Sequence, residues 1–346
     1  MAAEDIRINS VRVFPHPARL NPQFGNRPVL TPDPFAYVRL SLQRSKASDA
    51  LVYWRQAEEF FLASASLSTF ASPVTSYYCV LNAVKALLKV RGHQCPEHHG
   101  LSGTKENGPV SLLGENVRVV SGVFPAIVSL YGGAIAARTS LDLRELLGEM
   151  PFIHRAFTLT YKSQAERFIP LEKARFVRKS GSSEAWFQAY VPPSYSVRSP
   201  KLPSRYEKDV VAADYFVIRS RKRFRWEDLS PRESMARLAK YHERIRNDVF
   251  PVITRTSSRW YLRKPGGRGL AFKLPLVARI FAALHRFSEL SRYDPVRLGR
   301  HLEAQHNWLL TEFLSLAPAQ LVHIVASELS GREFLEPDSV RLPSLT

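Results

Sequence analysis

Apolar positions recur at helical spacing in the first and last thirds of the chain and alternate in its middle. Tyr53, Trp54, Ala57, Phe60 and Phe61 fall on one stripe behind Ser48-Asp49, a helix N-cap signal, and predict a helix from Ala50 to about Phe70. After the break at Ser72-Pro73, Tyr77, Leu81, Val84 and Leu88 form the stripe of a second helix, Val74 to Arg91. Gly92 suits its left-handed C-terminal cap. Tyr78, Asn82, Lys85 and Lys89 run alongside as a polar stripe. They can either hydrogen-bond inside a bundle or line a groove with Lys85 on a phosphate. The uncharged stretch from Val119 to Ala137 contains Gly122, Pro125, Gly132 and Gly133, so it reads as buried core with a turn rather than a membrane span. A short helix follows at Leu141–Leu147.

In the middle, Lys173 to Lys179 and Glu184 to Val191 flank Ser-Gly-Ser-Ser and predict a β-hairpin. Ala213 to Ile218 predicts a strand running on through Arg219 to Arg225. Ser230 to Asn247 reads as a polar helix. Trp260 to Lys264 and Leu270 to Leu274 predict a second hairpin around Pro265-Gly-Gly-Arg-Gly269. Helical spacing then returns. Leu276, Ile280, Leu284 and Phe287 mark one helix, Leu298 to Leu316 a longer one, and Pro318–Ser327 a short closing one. Residues 1–48, rich in Pro, Asn and Arg, read as an extended arm with one strand at Val11–Phe14. The expected fold is therefore mainly α with a β-containing insertion (α+β). Residues 49–170 and 271–335 build a helical bundle, 171–270 a basic insertion, and 336–346 a tail.

With 346 residues, 45% of them hydrophobic, the chain can bury a sizeable core, which excludes a disordered protein. Two cysteines, Cys79 and Cys95, exclude a disulfide framework and point to a reducing compartment. Met1 to Ser10 lacks the apolar core of a signal peptide, so a cytoplasmic protein is expected.

Charge changes the picture more than composition does. The net charge is +18, and between Lys201 and Arg300 there are 24 Lys and Arg against 10 Asp and Glu. Arg outnumbers Lys there by 18 to 6. Such an excess attracts polyanions, and planar guanidinium groups suit phosphates, so nucleic acid is the expected partner. On a continuous strand Arg221, Arg223 and Arg225 would share one face and Lys222 and Phe224 the other, with Arg219 ahead and Trp226 available for stacking. Arg263, Lys264 and Arg268 at the second hairpin tip, and Lys85, complete the candidate contacts. The alternative is a strand edge guarded by charge. Sequence-specific reading is not expected, because an arginine surplus speaks to phosphates and not to base edges.

Several short motifs carry a family likeness: Ser76-Tyr77-Tyr78-Cys-Val-Leu81-Asn82-Ala-Val-Lys85-Ala86, the preceding Ala57-Glu58-Glu59-Phe60, the loop His98-His99-Gly100-Leu101, and the late Leu290-Ser291-Arg292-Tyr293-Asp294-Pro295. From about residue 35 to 335 the chain resembles the YaaC-like protein family. Its first two helices also resemble the HEPN superfamily of helical bundles. The second resemblance implies an RNA-targeting protein, often an RNase of a defence or toxin-like system and often a homodimer.

HEPN RNases pair an Arg with a His four to six intervening residues later, His to move the 2′-hydroxyl proton and Arg to stabilise the phosphorane. Four such pairs occur here, but about three are expected by chance, so the count alone decides nothing. Arg300 and His306 would lie about 240° apart on one helix. Arg91 and His98 straddle a helix end and a loop and are free to converge, so they rank first as catalytic residues. Arg297, His301 and His306 rank second. His93, Cys95, His98 and His99 lack the paired spacing of a structural zinc site, so neither metal nor cofactor is expected. The competing function is a non-catalytic DNA-binding or scaffold subunit of a larger complex.

Overall fold

The structure is a computed structural model that describes residues 3–104, 108–192, 195, 201–211, 216–227, 231–254, 258–267 and 269–337. It is of mixed helix and sheet, and it divides into two compact units. One, the sheet unit, comprises Met1–Tyr37, Ile169–Arg263 and Ala326–Thr346. The other, the helical unit, comprises Val38–Phe168 and Lys264–Val325.

The sheet unit is built on an eight-stranded sheet. Its main path runs Tyr206–Val211, Phe216–Ser220, Glu184–Val191, Phe168–Lys179, Ser258–Arg263, Val249–Ile253. Ala3–Asp5 pairs with Phe168–Lys179, and Phe224–Arg225 pairs with Glu184–Val191. The first expected hairpin forms, with Phe176 opposite Phe187 and Val177 opposite Trp186. Phe176, Phe187, Ala189 and Ile218 pack in one core with Leu238, Tyr241 and Ile245 of the Pro231–Ile245 helix.

Two strand expectations are corrected. Arg219 to Arg225 is not one strand: Phe216–Ser220 ends where the Ser220 hydroxyl donates to the Lys222 carbonyl at 2.7 Å. The chain turns there and pairs again only at Phe224–Arg225. The alternation is thereby interrupted, and no single arginine ladder exists. The second hairpin pairs backward, with Phe250 opposite Tyr261 and Pro251 opposite Trp260. After Arg263 the chain enters a turn and a 3-10 segment, Ala271–Lys273, in place of a return strand. The Val249–Ile253 segment, just beyond the expected Ser230–Asn247 helix and given no element in the sequence reading, supplies the partner. Residues 34–44, read as extended, form a helix, with Pro34 in its first turn and Asp33 Oδ1 accepting from the Ala36 amide at 3.1 Å.

In the helical unit, Ser48–Ala65 packs along Ser72–Val90, which packs in turn on Leu276–Tyr293. Trp54, Tyr77, Phe281, Phe287 and Phe313 are completely buried. Gly92 closes the Ser72–Val90 helix at φ 61°, as its position predicted. The uncharged stretch supplies the end of a strand, Asn116–Gly122, and then the Val123–Leu130 helix. That strand lies between His99–Gly103 and Ser140–Asp142 in a three-stranded sheet.

The late helices break elsewhere than expected. Pro295–Glu303, capped by Asp294 on the Arg297 amide at 3.0 Å, ends before His306. Asn307–Ser330 then runs unbroken through Pro318. This last helix is long and apolar enough to cross a membrane by length and composition, but 72% of its most apolar window is buried within the protein, as in a core helix.

Candidate functional site

A cleft of about 460 Å³ opens in the sheet unit. The turn after Phe216–Ser220 supplies Ser220, Arg221 and Lys222. The Pro231–Ile245 helix supplies Tyr241, Arg244 and Ile245, with Asn247 just beyond it. Arg205 and Tyr206 form the remaining wall. Two of the four cations are partly neutralised. Arg205 lies 3.2 Å from Asp248, and Arg221 lies 3.4 Å from Glu207. Lys222 and Arg244 are exposed and have no carboxylate partner among the described residues. Burial pushes the Asp248 carboxyl up, against the pull of Arg205 and Arg263. Burial also raises Tyr206 and Tyr241. Four guanidinium or ammonium groups around one opening make a surface suited to phosphate oxygens.

The expected contacts separate on this geometry. Arg221 and Lys222 line the cleft. Arg219 is held by Glu207 at 2.8 Å and Asp209 at 3.2 Å. Arg223 lies 3.2 Å from Glu184 and 3.3 Å from Glu207, with its guanidinium 5.0 Å from the Trp186 ring centroid. Arg225 pairs with Glu227 at 2.5 Å. Trp226 is corrected outright: it is 4% exposed in the core of the sheet unit and offers no stacking face. Arg263 is also buried, donating to the Asn247 carbonyl at 2.9 Å and lying over Phe250. Lys264 lies 3.9 Å from Glu166. Arg268 lies outside the described residues. Lys85 is half-buried beneath the ring of Tyr53 and donates to the Glu97 carbonyl at 3.4 Å. Its stripe neighbour Asn82 turns inward and donates to the Tyr78 carbonyl at 2.9 Å.

Of the catalytic candidates, Arg91 caps the C-terminal end of Ser72–Val90, half-buried, and His98 is exposed ahead of the His99–Gly103 strand. Arg297, His301 and His306 do converge, but in the interior. Glu115, fully buried, accepts from Arg286 at 2.6 and 3.0 Å, from Arg297, and from His301 Nε2 at 3.0 Å. His301 Nδ1 lies 3.0 Å from His306 Nε2. Burial pushes the Glu115 carboxyl up, but hydrogen bonds from His301, Arg286 and Arg297 overcome this and hold it at about 2. Burial, and next the neighbouring His301, lowers His306 to about 4.

None of these residues is more than 8% exposed. The cluster is thus an interior ion network joining the chain before Asn116–Gly122 to two late helices. Its withdrawal from solvent removes Arg297, His301 and His306 as a surface catalytic centre. Sequence reasoning missed its hub, Glu115, and Arg286. The available signal was a single carboxylate between Asn107 and Asn116 in otherwise uncharged chain.

Among the described residues, no group of three His, Cys, Asp or Glu side chains is placed to hold a metal ion. Cys79 is buried and Cys95 half-buried, both as free thiols.

No curated protein and no solved structure matches the chain. A family model described as YaaC-like Protein matches residues 36–329. The match takes in the paired early helices, the His98-His99-Gly100-Leu101 loop and the buried network, most of the chain, and the chain belongs to the YaaC-like protein family.

Proposed function

We propose that this protein binds nucleic acid, RNA in the first place, through the phosphate backbone, and that the cleft of the sheet unit is where it does so. The observation that carries this reading is the convergence of Arg205, Arg221, Lys222 and Arg244 on one cleft, with Lys222 and Arg244 unpaired among the described residues. A solubilising surface needs no concave arrangement of cations, whereas a phosphodiester backbone gains from several donors at once. The preference for RNA follows the HEPN resemblance. A defence or toxin-like setting follows the same resemblance.

The RNase version of this reading rests on Arg91 and His98, since the alternative set is buried around Glu115.

The test is fluorescence anisotropy with labelled single-stranded RNA and DNA across a salt series. Binding that weakens steeply with salt, and weakens again in a Lys222→Ala/Arg244→Ala variant, supports the reading. Salt-independent binding, or affinity unchanged in that variant, defeats it.

A further inference from the structure

The Ser48–Ala65 helix is covered on one side and open on the other. Ala50, Trp54 and Ala57 are buried on one side of it, and the helix packs along Ser72–Val90. At about 100° per residue, the opposite side carries Ser48, Val52, Arg55, Glu59, Leu62 and, just past the helix end, Ser66. All six are exposed, Val52 at 59% and Leu62 at 64%. Their positions follow one another by four, three, four, three and four residues, the alternation of a coiled-coil seam. Two branched aliphatic side chains are thus held in water on the line where a second helix would lie.

The order of residue types along this seam is the same from either end about Ala57. A serine is followed by an aliphatic residue and a charge, and then by the opposite charge, an aliphatic residue and a serine. An antiparallel copy related by a two-fold axis at Ala57 therefore sets Val52 opposite the partner's Leu62, and Arg55 opposite the partner's Glu59. Each contact occurs twice, as an isologous interface requires. A parallel copy in register would set arginine against arginine and glutamate against glutamate, so the charges select the antiparallel arrangement.

These two charges are also the free ones. Glu58, beside the seam, pairs with Arg39, and Asp49 lies 3.1 Å from Lys89. Arg55 and Glu59 have no hydrogen-bond or ion-pair partner among the described residues. They stand four positions apart on one helix and do not pair with each other, the cation coming first being the less favourable order for such a pair. Glu59 also belongs to the Ala57-Glu58-Glu59-Phe60 motif, which the nucleic-acid reading leaves unused.

We propose that this face is a dimer interface and that its occupant is a second copy of the chain, paired antiparallel across Val52, Arg55, Glu59 and Leu62. A seam of about five turns is short, so a dimer in exchange with monomer is expected, not an obligate one. The interface lies wholly in the helical unit and stands apart from the nucleic-acid reading, which rests on the sheet unit.

Sedimentation velocity of the full chain over a series of protein concentrations tests it, with charge reversal as the probe. A concentration-dependent dimer is expected, weakened at least tenfold by Arg55→Glu and by Glu59→Arg, each of which brings like charges together across the two-fold axis. The double variant Arg55→Glu/Glu59→Arg restores complementarity and recovers the dimer. An equimolar mixture of the two single variants also recovers it, because each supplies the charge that the other lacks. Val52→Ser/Leu62→Ser weakens it without altering any charge. All four positions are exposed, and circular dichroism checks that each variant is folded. A chain that stays monomeric throughout the series overturns the proposal. So does a dimer whose affinity is the same in both single variants, which would be formed through another face, or one that neither the double variant nor the mixture recovers.

Discussion

The hydroxyl of Tyr241 donates to the backbone carbonyl of Lys222 at 3.1 Å. The same oxygen accepts from the Phe187 amide at 2.9 Å and contacts the Ser220 hydroxyl. One buried tyrosine on the Pro231–Ile245 helix therefore ties a central strand, the end of its neighbour and the turn that carries the exposed lysine of the cleft. Tyr241→Phe keeps the ring packing against Phe224 and removes these bonds, leaving the Phe187 amide without its acceptor. A loss of about 1–3 kcal/mol in urea unfolding is expected. If the turn is positioned for phosphate, RNA affinity falls in the folded variant too.

The cleft predicts a slope as well as an affinity. Each phosphate contact to a single strand contributes about 0.7 to the dependence of log affinity on log salt. Removing Lys222 and Arg244 together should flatten that plot by about 1.4 while leaving the chain folded, since both side chains are exposed. Arg219→Ala and Arg223→Ala should change the slope little, because each arginine already faces carboxylates. Anisotropy titrations at four or five salt concentrations check both statements.

Helices were legible because their packing is written within one turn. The stripe from Tyr77 to Leu88 and the glycine after Arg91 state the helix and its end locally. Strand partners are not stated locally: Trp260 to Arg263 alternates equally well toward either neighbour, and the choice of Val249–Ile253 depends on packing in the sheet. The break after Glu303 escaped notice because the leucines on both sides fit one continuous stripe. The buried network was invisible for a different reason. Glu115 and Arg286 are 171 positions apart, and no periodicity links a carboxylate to a guanidinium across that distance. At the cleft the sequence reading found Arg221 and Lys222 but placed them on opposite faces of a strand. The turn at Ser220 is what brings them to one opening, beside Arg205 and Arg244.

Glu115 holds two arginines and a histidine out of solvent, so its removal strands their charges. Glu115→Ala should destabilise the protein by about 3–5 kcal/mol, the range for breaking a buried ion pair from one side. Glu115→Gln retains the shape and some acceptor capacity and should lose less. Chemical unfolding of both variants distinguishes a network that holds the helical unit together from one that merely fills it: equal stability of wild type and Glu115→Ala would exclude the former.

Stability should fall as the solution is acidified below about pH 6.5, before ordinary carboxylates titrate. Burial lowers His16 and His285 to about 3, and His306 to about 4, from a usual 6.5. A histidine held below its unfolded value binds its proton first in the unfolded chain, so its contribution is complete above pH 6.5 and disappears as pH falls toward the folded value. Each such histidine adds about 1.4 kcal/mol per pH unit to the slope across that window. Glu115, held at about 2 against a usual 4.5, has the same sign, with its contribution complete above 4.5 and lost toward pH 2. Urea unfolding from pH 8 to pH 4 should therefore show a plateau followed by a steep decline. His306→Gln, which cannot take up the proton, should make the decline shallower between pH 6.5 and 4, whereas an unchanged slope would mean that His306 titrates alike in both states.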